Sequence, residues 1–357
     1  MSLNEGKVFS IIGGDVEMKQ GDVRTPGGII HVVSMKAAGE LGYSSSGIEV
    51  PASGFGPGKI ELSERTRLDV GGGGQAVVPG EIQFTRAAPI GSPSDQPGRA
   101  GGGQVYVRGG RLVMDQSAIY QTTEGAGKGG VIDVRLDKDL IAGRGSQIVA
   151  TALGSGEGGS VYVESDRLTL SERSFVETSS ADGGGRGGNA VVKARKIEVF
   201  SGSQLGSDSF MSGDTGDVNL EATDVRLDSL GSTLPTSIST TSWQGGKAGN
   251  VTMDVLGKLE ILNQPGGGLT GVGSRTLSCS PGPGDPCYRW PLSPITDTAG
   301  TATDRKEIRV TSPAQVWVSF SHLTKRSMRS FIGVTRFETS ITLQDAMPRI
   351  WDYISRS

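Results

Sequence analysis

The chain has 357 residues, of which 57 are glycine, and its 35 Lys and Arg nearly balance its 38 Asp and Glu. The near-neutral charge argues against a protein that binds nucleic acid by bulk electrostatic attraction, and no run of 18 or more apolar residues predicts a membrane-spanning helix. Only two histidines occur, His31 and His322, which leaves little room for a histidine-based active site. Glycine does not recur at every third position, so collagen is excluded.

The first 97 residues carry an irregular strand pattern. Apolar and polar residues alternate in KVFSIIGGDVEM, GGIIHVVSM, GKIELSERTRLDV and GEIQFTRA, as in strands with one buried face. The N-terminus has no basic segment before a long apolar run, so it does not resemble a secretory signal. We expect about two coils of the repeat described below in 1–97, with a longer excursion around 44–58. We also expect either a cytosolic chain or one that begins inside a longer gene product.

A regular repeat of about 28 residues occupies 98–274. Glycine anchors recur at spacings of 27, 29, 29, 28 and 33 residues, and the second and fourth residues after each anchor are apolar. The residue between them varies, so this alternation predicts a strand that is buried on one face. The anchors are Gly103, Gly130, Gly159, Gly188, Gly216 and Gly249.

Two more strands are predicted after each anchor. A second strand begins eight or nine residues later, as in RLVM at 111, RLTL at 167 and KLEI at 258, with apolar residues at its second and fourth positions. A third run has one apolar residue, followed two positions later in most repeats by a small or polar one. The apolar positions of this third run are Ile119, Ile148, Val176, Leu205 and Leu234.

Three short strands per repeat, separated by turns, predict an all-β right-handed parallel β-helix. A unit this small cannot bury its apolar face alone, but stacked copies can, because equivalent strands then pair in parallel. Right-handed winding is the rule for parallel crossovers. A leucine-rich repeat needs a Leu/Asn frame that does not recur, and a propeller blade needs about 40 residues. An all-β sandwich does not explain a repeat that stays in register.

The glycines cluster just before the first strand of each repeat, where a coil turns a corner. We expect positive φ angles at this corner, because glycine adopts them without steric cost. The inward Ser and Thr residues of the third strand are expected to form hydrogen-bonded ladders with the next coil.

The region after residue 274 departs from the repeat. Five prolines between Pro281 and Pro294 predict a Pro/Gly-rich linker over 275–303. Cys279 and Cys287 lie in this linker and would close a small loop as a disulfide in an oxidising compartment; otherwise they are two unpaired thiols. The segment 304–357 loses the glycine anchors, and we expect an irregular C-terminal tail that docks a partner, caps the solenoid or lacks its natural continuation.

No catalytic, cofactor or metal site is predicted. Polysaccharide hydrolases built on β-helices use closely placed aspartates, often with a Gly-His-Gly turn that is absent here, and the lyases need clustered carboxylates for calcium plus a basic residue. The outward acids Asp133, Glu198 and Glu260 are scattered over different strands and coils, as on a solvated surface. GAGKGG at 125–130 matches GxGxxG, but no Ser or Thr follows Lys128 and the strand–loop–helix context is missing.

Two tyrosines are candidates for glycan contact. Tyr106 and Tyr162 take the same outward position of the first strand, two repeats apart. An exposed tyrosine can stack on a sugar ring, although single exposed aromatic residues need no functional explanation.

The coil pattern resembles a known family. G-x-G-G-x-V-x-V, then R-L-x-L, then G-S-x-I-x-(S/T)-x-(S/T) is similar to the β-helix of filamentous haemagglutinin-like two-partner-secretion exoproteins, especially cyanobacterial ones. GEGGSVYVESDRLTLSERSFVETSS at 156–180 and GGKAGNVTMDVLGKLEI at 245–261 look typical, and 11–35 resembles the segment just after the family's N-terminal secretion domain. The resemblance covers roughly 1–274 and includes neither that domain nor a signal peptide, so we expect a middle piece or a truncated reading frame.

The resemblance implies a non-enzymatic adhesin- or haemagglutinin-like shaft, secreted or displayed at the cell surface outside a Gram-negative-type outer membrane. It implies an outer-membrane two-partner-secretion transporter as the export partner, and host or surface glycans are the candidate ligands. The alternatives are a carbohydrate-active β-helix enzyme of the polysaccharide lyase or hydrolase type, and a non-functional fragment of a larger exoprotein. We expect no cofactor, no nucleic acid partner and no membrane span.

Overall fold

A computed structural model of the chain describes residues 1–37, 40–44, 47–49, 56–71, 102–123, 126–181, 185–243, 246–263, 268, 270–276, 308–311 and 316–320. Strands, turns and bends make up this part of the chain, and it contains no helix. The strands are β1 (Val8–Gly13), β2 (Val16–Lys19), β3 (Asp22–Arg24), β4 (Ile29–Ser34), β5 (Gly42–Ser44), β6 (Gly47–Glu49), β7 (Lys59–Ser63), β8 (Arg67–Asp69), β9 (Gln104–Gly109), β10 (Arg111–Asp115), β11 (Ala118–Thr123), β12 (Val131–Leu136), β13 (Asp139–Gly143), β14 (Gln147–Ala152), β15 (Ser160–Leu170), β16 (Phe175–Ser180), β17 (Ala190–Phe200), β18 (Gln204–Ser209), β19 (Val218–Asp228), β20 (Thr236–Ser242), β21 (Val251–Val255), β22 (Leu259–Asn263), β23 (Thr270–Thr276), β24 (Ile308–Thr311) and β25 (Val316–Phe320).

The fold is all-β, and its two large sheets consist of parallel strands. The larger sheet has 15 strands, and the second sheet has eight, in the order β23-β20-β18-β16-β14-β11-β8-β3. A separate antiparallel pair, β5 and β6, lies in the expected excursion between β4 and β7. This arrangement is compatible with the predicted parallel β-helix.

The apolar residues of the first strands lie in one column across the larger sheet, as predicted. Each residue of the column pairs in register with its equivalent in the next repeat, and all of them are buried. Stacking in this way is how a unit of about 28 residues acquires a core. The column consists of Ile30, Val105, Ile132, Val161, Ala190, Val218 and Val251.

The predicted turn between the first and second strands is absent from three repeats. β15, β17 and β19 are single strands of 11 residues that run through both predicted strands. In β17, burial alternates up to Ala194, two outward residues follow, and alternation resumes at Ile197. The register with β15 and with β19 skips Arg195 and resumes at Lys196, so one strand runs through both predicted strands and the prediction of three separate strands was wrong for these repeats.

The third strand of the fifth repeat begins later than predicted. Ile238, and not Leu234, pairs with Leu205, and β20 begins at Thr236 directly after Pro235. Proline has no N–H to donate and is confined to the ends of such strands. The extra length of this 33-residue repeat therefore lies in the turn before β20.

The C-terminal segment is not irregular throughout. β24 pairs in parallel with β21, and β25 pairs in parallel with β22. These two strands add further positions to the 15-stranded sheet. Cys279 and Cys287 lie outside the described residues, so their pairing stays a prediction.

The anchor glycines are required because successive coils approach closely. A Cβ on Gly188 would lie 2.1 Å from the carbonyl oxygen of Gly159, and a Cβ on Gly216 would lie 2.0 Å from that of Gly188. Gly249 stands in the same relation to Gly216, again at 2.0 Å. The expectation of positive φ was wrong for the described anchor glycines, because the described glycines with positive φ are Gly6, Gly27, Gly56, Gly145, Gly202 and Gly231, none of which is an anchor.

Left-handed residues occur instead at the turn between the second and third strands. The amide of Ser146 donates to the carbonyl of Gly143 across one of these turns, the pattern of a type I′ turn, in which both central residues have positive φ. Among the described residues, five such turns carry two successive residues with positive φ: Glu64–Arg65, Arg144–Gly145, Glu172–Arg173, Ser201–Gly202 and Leu230–Gly231.

A buried serine follows this turn in successive coils and links each coil to the next. The amide of Ser117 donates to Oγ of Ser146 at 3.2 Å, and the amide of Ser146 donates to Oγ of Ser174 at 3.2 Å. The amide of Ser174 continues the series to Oγ of Ser203 at 3.1 Å. The Ser174 hydroxyl also donates to the carbonyl of Ser171 at 2.7 Å, so it ties its own turn to the coil before it.

The polar residues on the inner face of the third strands form the expected ladder in part. Ser180 Oγ donates to Ser209 Oγ at 2.9 Å, directly from one coil to the next. Thr178 and Ser207 instead donate to the carbonyl oxygen of Gly188, at 2.5 and 3.4 Å. The inner hydroxyls therefore satisfy the backbone of the glycine corner that faces them.

Gly188→Ala should destabilise the chain by about 1–3 kcal/mol or more, because the added methyl group overlaps a backbone carbonyl of the neighbouring coil. The free energy of unfolding in urea measures this effect. Gly273→Ala is the matched control, since a Cβ there meets nothing within 4 Å, and it should change the stability by less than about 0.5 kcal/mol. Equal effects of the two substitutions would refute the packing explanation.

Ser174→Ala should lower the free energy of unfolding by about 1–3 kcal/mol, because the buried amide of Ser146 loses its acceptor. Ser155→Ala, at an exposed turn position, is the control and should leave the urea midpoint nearly unchanged. If the Ser174→Ala protein is as stable as the wild type, the serine series does not contribute to the free energy of unfolding.

Candidate functional site

Both candidate tyrosines lie on the outer face of the larger sheet. Tyr106 pairs in register with Asp133, and Asp133 pairs with Tyr162, so the two tyrosines are two positions apart in one column. His31 precedes Tyr106, and Val191 follows Tyr162. We call these five residues the tyrosine column.

Tyr106 is covered by its own neighbours. Its ring stacks on His31 with a centroid distance of 5.5 Å and an interplanar angle of 25°, and the guanidinium carbon of Arg108 lies 5.5 Å from the ring centroid. Its hydroxyl donates to Oε1 of Gln104 at 2.5 Å. Burial, and then the charge of Asp133, raises the pKa of the Tyr106 hydroxyl. Tyr106 is therefore an internal contact of the sheet surface.

Tyr162 is open to solvent. It is 42% exposed, which places it among the exposed large apolar side chains of the described part of the chain. Its neighbours in the column are a carboxylate, Asp133, and a short aliphatic residue, Val191, neither of which is an aromatic ring that could cover it by stacking. Of the two tyrosines, Tyr162 is the one whose ring can accept a ligand.

Asp133 is held by two arginines. Its carboxylate accepts from Arg108 at 2.8 Å and from Arg135 at 3.1 Å, and Arg108 also donates to the carbonyls of Val107 and Asp133. Asp133 is 8% exposed. Both carboxylate oxygens are thus engaged, as in a structural ion pair.

The other outward acids lie on different strands and share one column of the larger sheet. Glu198 in β17 pairs in register with Arg226, and Arg226 pairs with Glu260 in β22. Glu198 also lies 2.6 Å from the ammonium of Lys196, and Glu260 lies 2.5 Å from that of Lys258. These acids are neutralised within an alternating surface array, which does not provide a free catalytic group.

The sequence analysis missed a buried carboxyl, Glu177, that has a second carboxyl, Asp208, nearby. Glu177 in β16 lies opposite Gly206 in β18, two residues before Asp208. Glu177 is only 5% exposed, and burial, followed by the charge of Asp208, raises the pKa of Glu177 well above its usual range. A carboxyl with a raised pKa beside a second carboxyl is an arrangement that general acid catalysis uses.

The sequence predicts which way the Glu177 and Asp208 side chains face, but it does not predict that Glu177 is buried. Period-2 alternation places Glu177 and Asp208 on the outer face of the third strands, since Val176, Thr178 and Ser207 point inward. Alternation alone predicts an exposed carboxylate there. That the outer face is buried at Glu177 depends on tertiary packing, which the repeat pattern does not encode.

An open groove of about 460 Å³ crosses the turns between the second and third strands. Arg144, Glu172, Arg173 and Leu230 are among its lining residues. Arg144 is ion-paired with Asp115. The groove is open to solvent, and Arg144, Glu172 and Arg173 give it a largely charged lining.

Within the described ranges, no three His, Cys, Asp or Glu side chains come together in a way that could hold a metal ion. The same part of the chain has no helix with the length and apolarity needed to cross a membrane. No protein-family model, no curated protein and no solved structure matches this chain.

Glu177→Gln should stabilise the protein increasingly as pH rises. A carboxyl whose pKa is raised on folding favours the folded state below its unfolded pKa, near 4.5, and this contribution is lost as pH rises through the folded pKa. Glutamine carries no charge at any pH, so the variant avoids that loss. Urea unfolding of both proteins between acidic and neutral pH measures the difference.

Glu164→Gln, at an exposed position of β15, is the control for this experiment. Its stability should follow the wild type at every pH. Parallel pH profiles for the wild type and Glu177→Gln would contradict the assignment of a raised pKa to Glu177.

Proposed function

We propose that the chain is a right-handed parallel β-helix with three strand positions per coil, which serves as the stiff shaft of a non-enzymatic adhesin-like protein. The observation that carries this proposal is the unbroken register of the larger sheet. Val105, Ile132 and Val161 are successive members of a column that continues through every regular repeat. Nearest-neighbour stacking of this kind produces an elongated molecule with a long outer surface.

The surface chemistry supports display rather than catalysis. Charged groups pair with one another along the sheet, as in Arg108 with Asp133 and Lys193 with Glu221. Such pairing leaves a polar surface with few groups free for reaction. The resemblance of the coil pattern to filamentous haemagglutinin-like exoproteins points the same way, and on this proposal the chain is secreted or held at the cell surface after passage through a two-partner-secretion transporter.

Tyr162 is the proposed ligand contact of the shaft. An exposed aromatic ring on a flat sheet offers its face to the apolar side of a sugar. The neighbouring Arg135 side chain is 59% exposed and donates to Asp133 from one side, so its remaining N–H groups are available to sugar hydroxyls. Glycans on a host or on another cell surface are the proposed ligands.

A carbohydrate-active enzyme is the second candidate, and the Glu177–Asp208 pair is the observation that favours it. Glycosidases use two carboxyls, one of which has a raised pKa and acts as a general acid, and the pKa of Glu177 is raised. Burial of Glu177 argues against this role, because a polymer must reach the acid that protonates it. A non-functional fragment is the third possibility.

A glycan-binding screen with the purified chain tests the leading proposal. Binding should be lost in Tyr162→Ala and kept in Leu256→Ala, which removes another exposed apolar side chain (65% exposed). Binding that survives Tyr162→Ala would reject this residue as the contact, and a chain that binds no glycan would reject the adhesin assignment.

Depolymerisation assays on pectin-, alginate- and chondroitin-type polymers separate the two candidates. The shaft proposal predicts no turnover. Robust turnover that disappears in Glu177→Gln but persists in Glu164→Gln would establish the enzyme instead.

A further inference from the structure

The 33-residue repeat places a long turn beside the shorter turn of the preceding coil. Seven residues, 229–235, separate β19 from β20, whereas three residues, 201–203, separate β17 from β18. A Cβ on Gly202 would lie 2.9 Å from both the Cβ of Leu234 and the Oγ of Ser232, so the long turn packs directly against the shorter one. In repeat proteins, insertions of this kind form loops on one face, which is often the binding face.

Internal hydrogen bonds hold the long turn in one conformation. The amide of Leu230 donates to Oδ1 of Asp228 at 3.0 Å. The amide of Ser232 donates to the carbonyl of Ser229 at 2.8 Å, and the amide of Leu234 donates to Oγ of Ser232 at 3.2 Å. A surface that is ordered before a ligand arrives costs less conformational entropy on binding.

The long turn forms one end of the groove described above. The lining residues come from four successive coils and begin at Arg144, continue through Arg173 and Ser201, and end at Leu230 and Ser232. The amide of Arg173 donates to the carbonyl of Ser201 at 3.1 Å, so neighbouring turns are hydrogen-bonded to each other. Three steps of about 4.8 Å give the groove a length of about 14 Å in the direction of stacking. It therefore fits an elongated ligand.

Arg173 gives the groove a positive charge that no described carboxylate neutralises as an ion pair. Its side chain is exposed. When the register of the second strands is extended into the turns, Arg173 aligns with Gly145 on one side and with Gly202 on the other. Glycines at these positions have no side chain to cover the guanidinium. The lining residues of the next two coils are uncharged, so this part of the groove favours an anionic group at Arg173.

Leu230 supplies an apolar contact two coils further along the groove. The same register aligns Gly202 with Leu230, so Leu230 and Arg173 are separated by two steps, or about 10 Å. Leu230 is 55% exposed. The described lining contains no aromatic ring, the kind of side chain that stacks on a sugar. An aliphatic contact next to hydroxyl groups instead favours an apolar side chain of a peptide.

We propose that this groove binds an extended peptide segment of a partner protein, with a carboxylate on Arg173 and an apolar side chain on Leu230. A guanidinium binds a carboxylate through two parallel hydrogen bonds. In a polyproline II segment, residues three positions apart point to the same side and are about 9 Å apart, which matches the separation of the two groove residues. The recognised pattern is therefore an acidic residue three positions from an apolar one.

Fluorescence anisotropy with two labelled peptides and the purified full chain tests the proposal. Pro-Glu-Pro-Pro-Leu-Pro and Pro-Leu-Pro-Pro-Glu-Pro carry the pattern in the two chain directions, and at least one of them should bind saturably. Replacing its Glu by Gln, or its Leu by Ser, should weaken binding by about tenfold or more, because each change removes one of two anchors. If neither peptide binds saturably, the proposal is wrong.

Arg173→Gln should weaken the binding of the peptide by about tenfold or more. Arg65→Gln is the matched control and should bind as the wild type does. Arg65 is also exposed and also follows a glutamate in a turn with two positive φ angles, but it does not line the groove. Equal affinities of the two variants would reject the groove as the binding site.

A second pair of variants tests the apolar contact. Leu230→Ser should weaken peptide binding by a similar factor, whereas Leu256→Ser, at a residue that is 65% exposed outside the groove, should leave it unchanged. Circular dichroism checks that each variant is folded. An unchanged affinity in Leu230→Ser would contradict the proposed register of the peptide on the groove.

Tyr162→Ala separates this inference from the proposed glycan contact. The variant should bind the peptide with wild-type affinity, because Tyr162 does not line the groove. Failure of glycan binding would therefore leave peptide binding intact, and the reverse also holds. Binding of polygalacturonate that is lost in Arg173→Gln, without binding of either peptide, would assign the groove to an anionic sugar and overturn the proposal.

Discussion

The closeness of glycine backbones in successive coils is the constraint on which the rest of the structure depends. At Gly188, Gly216 and Gly249, the position of a Cβ is about 2 Å from a carbonyl oxygen of the preceding coil. Any side chain at this corner would hold the coils apart, and strands pair only at a spacing of about 4.8 Å. The glycine excess of the chain is thus a requirement of parallel stacking, and the buried apolar column follows from it.

The same close approach determines the hydrogen-bond acceptors of the buried Ser and Thr hydroxyls. Hydroxyl groups that face the glycine corner donate to its carbonyls, as Thr240 and Ser274 both do to Gly249. The serines before the third strand accept amides from the preceding coil at a separate turn. Each coil is therefore joined to the next by backbone pairing, by apolar contact and by hydroxyl bridges, which makes slippage between coils costly.

Much of the strand stacking was predictable from the periodicity of the sequence. The buried column from Val105 to Val218 and the two outward tyrosines follow from period-2 alternation repeated at a fixed interval. The sequence did not show why the anchors are glycine. A backbone with positive φ and a backbone packed against its neighbour both require glycine, so the residue alone does not distinguish the two reasons. The start of β20 was missed because a lengthened turn moved the apolar position from Leu234 to Ile238.

The candidate sites were less predictable than the fold. Alternation shows which side of a strand a residue faces, but it does not show what covers that side. It therefore treated Tyr106 and Tyr162 as equivalent, although His31 and Arg108 contact only the first of these rings. For the same reason it gave no sign that Glu177 is buried.

The central claim is that repeats distant in sequence stack in register at the strand spacing. Double electron–electron resonance measures the distance between spin labels on cysteines introduced at Arg135 and Asp254, after Cys279 and Cys287 are replaced by serine. This distance tests the claim directly. These positions are linked by four register steps through Glu164, Lys193 and Glu221, so a narrow distribution near 19 Å is predicted from about 4.8 Å per step. A broad distribution, or one centred far from this distance, would contradict the stacked arrangement.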